Sequence, residues 1–166
     1  KQARERVGLK FVDVDVEANT VRFQRDGMRL DFGGIGKGLA LDYAAQVLRT
    51  QGVKSAILHS GTSTVLALGT PPDKPDWTVA IRSPYNKIRE HVDEVMIHDE
   101  SLSTSSRTER YFELDGKRYG HIFDPRTGMP VDEVLSATAI APTGLESDAL
   151  STAFFVMGVE DTKAYC

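Results

Sequence analysis

The sequence predicts an α+β fold built mostly of antiparallel sheets with a few packed helices. Short runs alternate apolar and polar residues, and Asp26-Gly27 and Asp115-Gly116 punctuate them as hairpin turns. Long stripes at helical spacing are few, so strands outnumber helices and do not alternate strictly with them, which argues against a doubly wound sheet.

Taken in order, the elements begin between Phe11 and Phe32. Val12, Val14 and Val16 share one face, a polar turn from Glu17 to Thr20 leads to Val21 and Phe23, and Asp26-Gly27 precedes a run from Met28 to Phe32. This pattern predicts a small antiparallel meander. Leu39, Ala40, Tyr43, Ala44, Val47 and Leu48 form the stripe of an amphipathic helix that Gly52 ends. Ala56 to Leu58 and Val65 to Leu68 are strands flanking the small polar loop Ser60-Gly61-Thr62-Ser63-Thr64. After a proline-rich break, Trp77 to Ile81 and Val92 to Ile97 are strand-like. Tyr111 to Leu114 and Arg118 to Ile122 make a hairpin, Leu135 to Ala141 is a strand, and Leu145 to Met157 is a helix ended by Gly158.

The 166 residues, 40% hydrophobic and 27% charged, suffice for one compact domain with an ordinary core. Lys and Arg total 20 against 24 Asp and Glu, a net charge of −4, and no basic stripe occurs, which argues against nucleic acid or an anionic membrane as partner. Any anion must be gripped locally. The single cysteine, Cys166, can form no internal disulfide. No run of eighteen apolar residues appears.

The stretch LDFGGIGKGLALDYAAQVL, Leu30 to Leu48, sets four glycines and Lys37 ahead of the first helix. A Walker A loop fails twice, because Asp31 stands where its first glycine belongs and Gly38 follows the lysine in place of Ser or Thr. A Rossmann fingerprint fails too, since Gly34, Gly36 and Gly38 are spaced G-x-G-x-G. Two readings stay open. The glycines bring backbone against an anion or close-packed ligand at the helix N-terminus, or they only permit a sharp crossing beneath another element.

In GHIFDPRTGMP, Gly120 to Pro130, Asp124, Arg126 and Thr127 tie a turn together. His121, between an apolar strand and that turn, is either a proton-transfer group or a satisfied structural histidine. In APTGLESDALSTAFFVMG, Asp148 and Thr152 are four residues apart and share one helical face, hard oxygens suited to magnesium or, equally, local capping groups. Ser103, Thr104, Ser105, Ser106 and Thr108 crowd hydroxyls into what reads as a loop.

Four segments in chain order, LDFGGIGKGLALDYA at Leu30 to Ala44, SGTSTVLALG at Ser60 to Gly69, LSTSSRTERYFELDGKRYGHIFDPRTG at Leu102 to Gly128 and APTGLESDALSTAFFVMG at Ala141 to Gly158, resemble the ApbE-type flavin transferases, over nearly the whole chain from about Val7 onward. The resemblance implies an ApbE-like, T-fold-related architecture and a magnesium-dependent enzyme. FAD is cleaved at its pyrophosphate, FMN passes to a Thr or Ser hydroxyl of a target flavoprotein subunit of a membrane redox complex, and AMP leaves. Hydrolysis of FAD to FMN and AMP, or non-catalytic flavin binding, are the alternatives. Carried over by residue, Mg2+ is held by Asp148, Thr152 and the Gly34 carbonyl; Asp31, Lys37 and the backbone around Phe123 contact FAD; His121 is the base on the acceptor hydroxyl.

Two positions depart from the family pattern: Ser106 replaces a common glycine, and Ser60-Gly61 stands for a usual Gly-Gly pair. Family members are longer, so residues 1–166 are expected to form a single domain incomplete at both ends, short of an N-terminal portion that contributes to the FAD pocket. The family's usual setting is a periplasmic, membrane-anchored lipoprotein.

Overall fold

A computed structural model describes residues 4–85, 91–108 and 110–166. Single 3-10 turns at Arg4–Arg6 and Leu9–Phe11 lead into a hairpin of β1 (Val12–Asp15) and β2 (Thr20–Phe23). Then come α1 (Gly36–Thr50), β3 (Ala56–Ser60), β4 (Thr64–Leu68), β5 (Trp77–Arg82), β6 (His91–Ile97) and β7 (Ser101–Ser106). A hairpin of β8 (Tyr111–Leu114) and β9 (Lys117–Gly120) follows, with a short pair β10 (Phe123–Asp124) and β11 (Met129–Pro130). The order closes with β12 (Ser136–Ala141), α2 (Gly144–Met157) and α3 (Val159–Tyr165). The predicted α+β class is what forms, and every strand pair among the described residues is antiparallel.

The central sheet has the order β12-β7-β4-β3. Its two faces receive different partners because side chains alternate along each strand. On one face Leu66 of β4 meets Leu41 and Ala45 of α1, with Leu58 beside them. On the other, Ala67 and Leu102 join Ile97 under the β5–β6 ribbon, whose Trp77, Val79, Ile81 and Val95 complete the cluster. α2 lies against β7 and β12 on the same side as α1. Phe155, 1% exposed, anchors it.

Local chemistry explains most boundaries. Gly52, at φ 81°, follows the α1 C-cap residue Gln51, and Asp115 and Gly116, both at positive φ, close the β8–β9 hairpin as the Asp-Gly pair predicts. Thr143 caps α2: its Oγ1 accepts from the Glu146 amide at 3.2 Å and donates to Glu146 Oε2 at 3.0 Å.

Two expectations need correction. Met28 to Phe32 is not a strand, although Gly27 does turn at φ 78°. The Phe32 carbonyl is instead committed to the turn that starts α1, accepting from Ile35 N at 3.0 Å and Gly36 N at 2.7 Å, so the meander stops as a hairpin. The valine face of that hairpin is open, with Val14 65% exposed. The hydroxyl-rich run also differs from the predicted loop. Ser101–Ser106 is β7, a central strand paired with β12 along its whole length and with β4 over part of it. The hydroxyl run ends at Thr108, and residue 109 lies outside the described residues.

Candidate functional site

The site is built where α1 and α2 cross at their N-terminal ends. Gly38 and Gly144 make that crossing: a Cβ on Gly38 would lie 1.8 Å from the Gly144 carbonyl oxygen. Of the two readings of the glycine stretch, the close crossing therefore holds at Gly38. Gly34 does something else, since a Cβ there would meet Thr152 Oγ1 at 3.3 Å. Gly36 faces open space.

The crossing aligns two helix N-termini, and each receives a carboxylate from the other helix. Asp42 of α1 accepts from Gly144 N at 2.6 Å and Leu145 N at 2.8 Å. Asp148 of α2 accepts from Gly38 N at 3.0 Å through Oδ2. Helix N-termini present unsatisfied N–H groups and a partial positive charge, so both carboxylates lie where the backbone favours them.

Asp148 does more than cap. Only 1% exposed, its carboxylate requires compensation, because a buried charge without partners is costly. Lys37 Nζ stands 2.9 Å from Oδ1, and Ser103 Oγ donates to the same oxygen at 3.3 Å. Lys37 also reaches the Gly33 carbonyl at 3.4 Å, while Asp31 Oδ1 accepts from Gly33 N at 2.7 Å and so shapes the turn that carries Gly33 and Gly34. One helical turn after Asp148, Thr152 donates to the Asp148 carbonyl at 3.3 Å and meets Ser105 Oγ at 3.1 Å.

Four predicted residues, Gly34, Lys37, Asp148 and Thr152, are thus brought together, with Asp31 attached through Gly33. Beside them Gly34, Ile35, Pro125, Ala149, Thr152 and Val156 line a shallow apolar hollow of about 450 Å³. The turn after β10 reaches this hollow because Arg126 shares its Nε–H between the two Asp124 carboxylate oxygens, at 3.0 and 3.1 Å, and donates through Nη2 to the Val156 carbonyl at 2.9 Å. Arg126 N also donates to Asp124 Oδ1 at 2.7 Å, so Asp124 and Arg126 do tie the turn together.

His121 and Phe123 stand apart from the crossing, and no hydrogen bond among the described residues joins either to it. Phe123 pairs with Pro130 and is 52% exposed. His121 is exposed, and its Nδ1 lies 3.1 Å from the Arg110 carbonyl. A carbonyl only accepts, so Nδ1 is the donor in this contact and Nε2 is the ring nitrogen left for another partner.

Sequence reasoning missed Asp42, Ser103 and Ser105 as members of this network. The Thr143-x-x-Glu146 pattern was one legible signal for the α2 end, and the i, i+4 spacing of Gly38 and Asp42 was another. The serines sit at strand period, which becomes visible only once the run is known to be a strand.

The side-chain donors brought together are hard oxygens, the Asp148 carboxylate and the Thr152 hydroxyl, with the Gly34 backbone beside Thr152. Among the described residues no cluster of three or more His, Cys, Asp and Glu side chains exists, so a cation here rests on a single carboxylate. Magnesium is bound in that manner, with one or two carboxylates and the rest of its octahedron from water and phosphate. Of roughly four lone-pair directions on a carboxylate, three on Asp148 are taken by Lys37, Ser103 and Gly38, which leaves one. The residues fit the ion.

The sequence model of the ApbE family matches residues 1–166. The chain is 38% identical over 150 residues to the FAD:protein FMN transferase of Klebsiella pneumoniae (strain 342), a match covering 90% of this chain and 45% of that protein. It is 37% identical over 155 residues to the enzyme of the same name in Treponema pallidum (strain Nichols), covering 88% and 42%. The crystal structure of the ApbE protein from Thermotoga maritima superposes with a TM-score of 0.89 at 35% identity, covering 98% of this chain and 52% of that one. The apo flavinyl transferase ApbE of Pseudomonas stutzeri gives 0.79 at 31%, covering 98% and 49%. The chain spans about half the length of these relatives.

Proposed function

This chain belongs to the ApbE family, and on that premise we propose that it transfers FMN from FAD to a Thr or Ser hydroxyl of a target flavoprotein in a magnesium-dependent reaction that releases AMP. The observation that carries the reading is the convergence of Asp148, Thr152, Gly34 and Lys37 at one helix crossing. Relatives named FAD:protein FMN transferase support it.

Asp148, Thr152 and the Gly34 carbonyl are the residues that would hold the cation. When bound, magnesium neutralises charge that builds on the pyrophosphate oxygens as the bond to the leaving AMP breaks. Lys37 places a second positive charge at the same spot, since its ammonium already sits 2.9 Å from Asp148. The α1 N-terminus adds backbone dipole of the same sign. Asp31 fixes the turn that sets the Gly34 backbone against Thr152.

In the transfer step the acceptor oxygen bonds to the FMN-side phosphorus, the bond to the AMP phosphate oxygen breaks, and the acceptor proton goes to His121 Nε2. A neutral imidazole whose Nδ1–H is tied to the Arg110 carbonyl is oriented for that role. Phe123, exposed beside the Asp124 turn, offers backbone and ring to the flavin. In this reading the acceptor is a flavoprotein subunit of a membrane redox complex, and the compartment is the periplasm, where the protein is a membrane-anchored lipoprotein.

The test incubates the protein with FAD, magnesium chloride and a threonine-containing acceptor peptide, and follows AMP by chromatography and the peptide by mass spectrometry. Peptide carrying FMN supports transfer. AMP with free FMN replaces it with hydrolysis, and bound but intact FAD replaces it with a flavin-binding module.

A further inference from the structure

We propose that Ser103 and Ser105 of β7 are positioning residues that hold the two side-chain oxygens of the site, the Asp148 carboxylate and the Thr152 hydroxyl, in register for one divalent cation. The inference rests on reading those two residues as cation ligands.

The argument begins with spacing. Residues two apart on a strand are separated by about 6.8 Å, and residues four apart on a helix rise about 6.0 Å. A strand running beside a helix therefore meets positions i and i+4 of the helix with positions j and j+2 of the strand. β7 and α2 pack against each other in this way. Ser103 contacts Asp148, and Ser105 contacts Thr152.

Hydrogen-bond direction makes the pairs specific. The ionised Asp148 carboxylate only accepts, so the single proton of Ser103 is committed to Oδ1, and Thr64, whose Oγ1 lies 3.0 Å from Ser103 Oγ, must donate to the serine. Ser103 is 1% exposed and Thr64 fully buried, so neither has water as an alternative. Thr152 sends its proton to the Asp148 carbonyl. Ser105 Oγ lies between Ser151 Oγ at 3.0 Å and Thr152 Oγ1 at 3.1 Å, and where it donates to Thr152, whose own proton is spent on the Asp148 carbonyl, it occupies one lone pair of that hydroxyl and leaves one. Groups behind the ligands that orient them in this way are commonly worth about 10–100-fold in metal affinity.

The same strand supplies its own control. Ser101 occupies the same face two residues earlier, is fully buried, and bonds Ser147 at 2.8 Å and the Val65 carbonyl at 2.7 Å, touching neither ligand. A role limited to packing α2 on β7 predicts the same consequence for all three serines.

The experiment titrates the FAD-free protein with manganese(II), a paramagnetic stand-in for magnesium, and reads affinity from water-proton relaxation, with melting temperature recorded alongside. The expected result is that Ser103→Ala and Ser105→Ala each weaken binding by about tenfold or more, while Ser101→Ala leaves it within about twofold. Equal weakening by all three, or no weakening by Ser103→Ala and Ser105→Ala while Asp148→Ala abolishes binding, overturns the inference and leaves the cation site standing. No binding by the unaltered protein overturns both. Should Ser103→Ala not fold, Ser105→Ala, altering a half-buried residue, decides the matter.

Discussion

The backbones of Gly38 and Gly144 touch: a Cβ on the first would lie 1.8 Å from the carbonyl oxygen of the second, and a Cβ on the second 2.4 Å from the carbonyl oxygen of the first. Both obstacles are main chain, which cannot rotate away as a side-chain tip can. Gly38→Ala therefore costs at or above the top of the roughly 1–3 kcal/mol seen for overpacked cores. Gly36→Ala, whose Cβ meets nothing within 4 Å, changes stability by less than about 1 kcal/mol. Urea unfolding of the two variants checks the contrast, and a mild Gly38→Ala contradicts it.

Asp42 carries the other half of the crossing. Removing a side chain that accepts two amides at a helix N-terminus costs about 0.5–2 kcal/mol, so Asp42→Ala is expected near the upper end, with Asp42→Asn milder because one acceptor oxygen survives. The partly buried setting of the Gly144 bond favours the larger figure. Guanidinium denaturation midpoints of the two variants measure it. Equal midpoints for Asp42→Ala and the parent protein would remove Asp42 from the architecture.

The turn at the edge of the hollow responds to acid. The side-chain hydrogen bond from Arg126 is the largest influence holding the Asp124 carboxyl below its ordinary value of 3.8, helped by the Arg126 amide and opposed by burial. A folded value below the unfolded one means that folding favours the ionised form. The resulting stability is fully present above the unfolded value and lost as pH falls through the lower folded value. Asp124→Asn is thus destabilised relative to the parent at about pH 6, and the gap closes as pH drops below the ordinary carboxylate range. Melting curves across that range test the sign; a gap that widens in acid contradicts it.

Much of this architecture is legible in the residues themselves. The Leu39–Leu48 stripe and the run ending at Gly158 announce α1 and α2, and Asp115-Gly116 announces its hairpin, because side-chain period and turn chemistry are local properties. Met28 to Phe32 misleads because a strand exists only if an edge is available, and Phe32 is claimed by the start of α1. β7 misleads for the opposite reason. Its hydroxyls look like solvated loop, yet Ser101, Ser103 and Ser105 face the hydroxyls and carboxylate of α2, and partners so distant in sequence leave no local trace. The candidate site divides along the same line. Asp148 and Thr152 share a helical face by spacing alone, whereas the Lys37 contact with Asp148 spans the crossing of two helices.

His121 offers a test that separates chemistry from scaffolding. It is exposed and held by one bond to the Arg110 carbonyl, so His121→Ala leaves folding and FAD affinity nearly unchanged. Loss of a general base lowers the transfer rate by about 10²–10⁴. Rates of FMN attachment to a peptide, compared with FAD affinity from fluorescence quenching, read the two effects separately. A proportional loss of both would make His121 a structural residue.

In the proposed function the buried Asp148 carboxylate, facing Lys37 and Gly38, anchors a cation site for the cleavage of FAD. The direct measurement is magnesium-dependent AMP release from FAD by Asp148→Ala, run beside Asp148→Asn, which keeps an acceptor for the Gly38 amide and so guards against loss of fold. AMP release by both variants is expected to fall to the rate seen without magnesium, with their helical circular dichroism retained. Magnesium-dependent release at the parent rate by either folded variant contradicts the account.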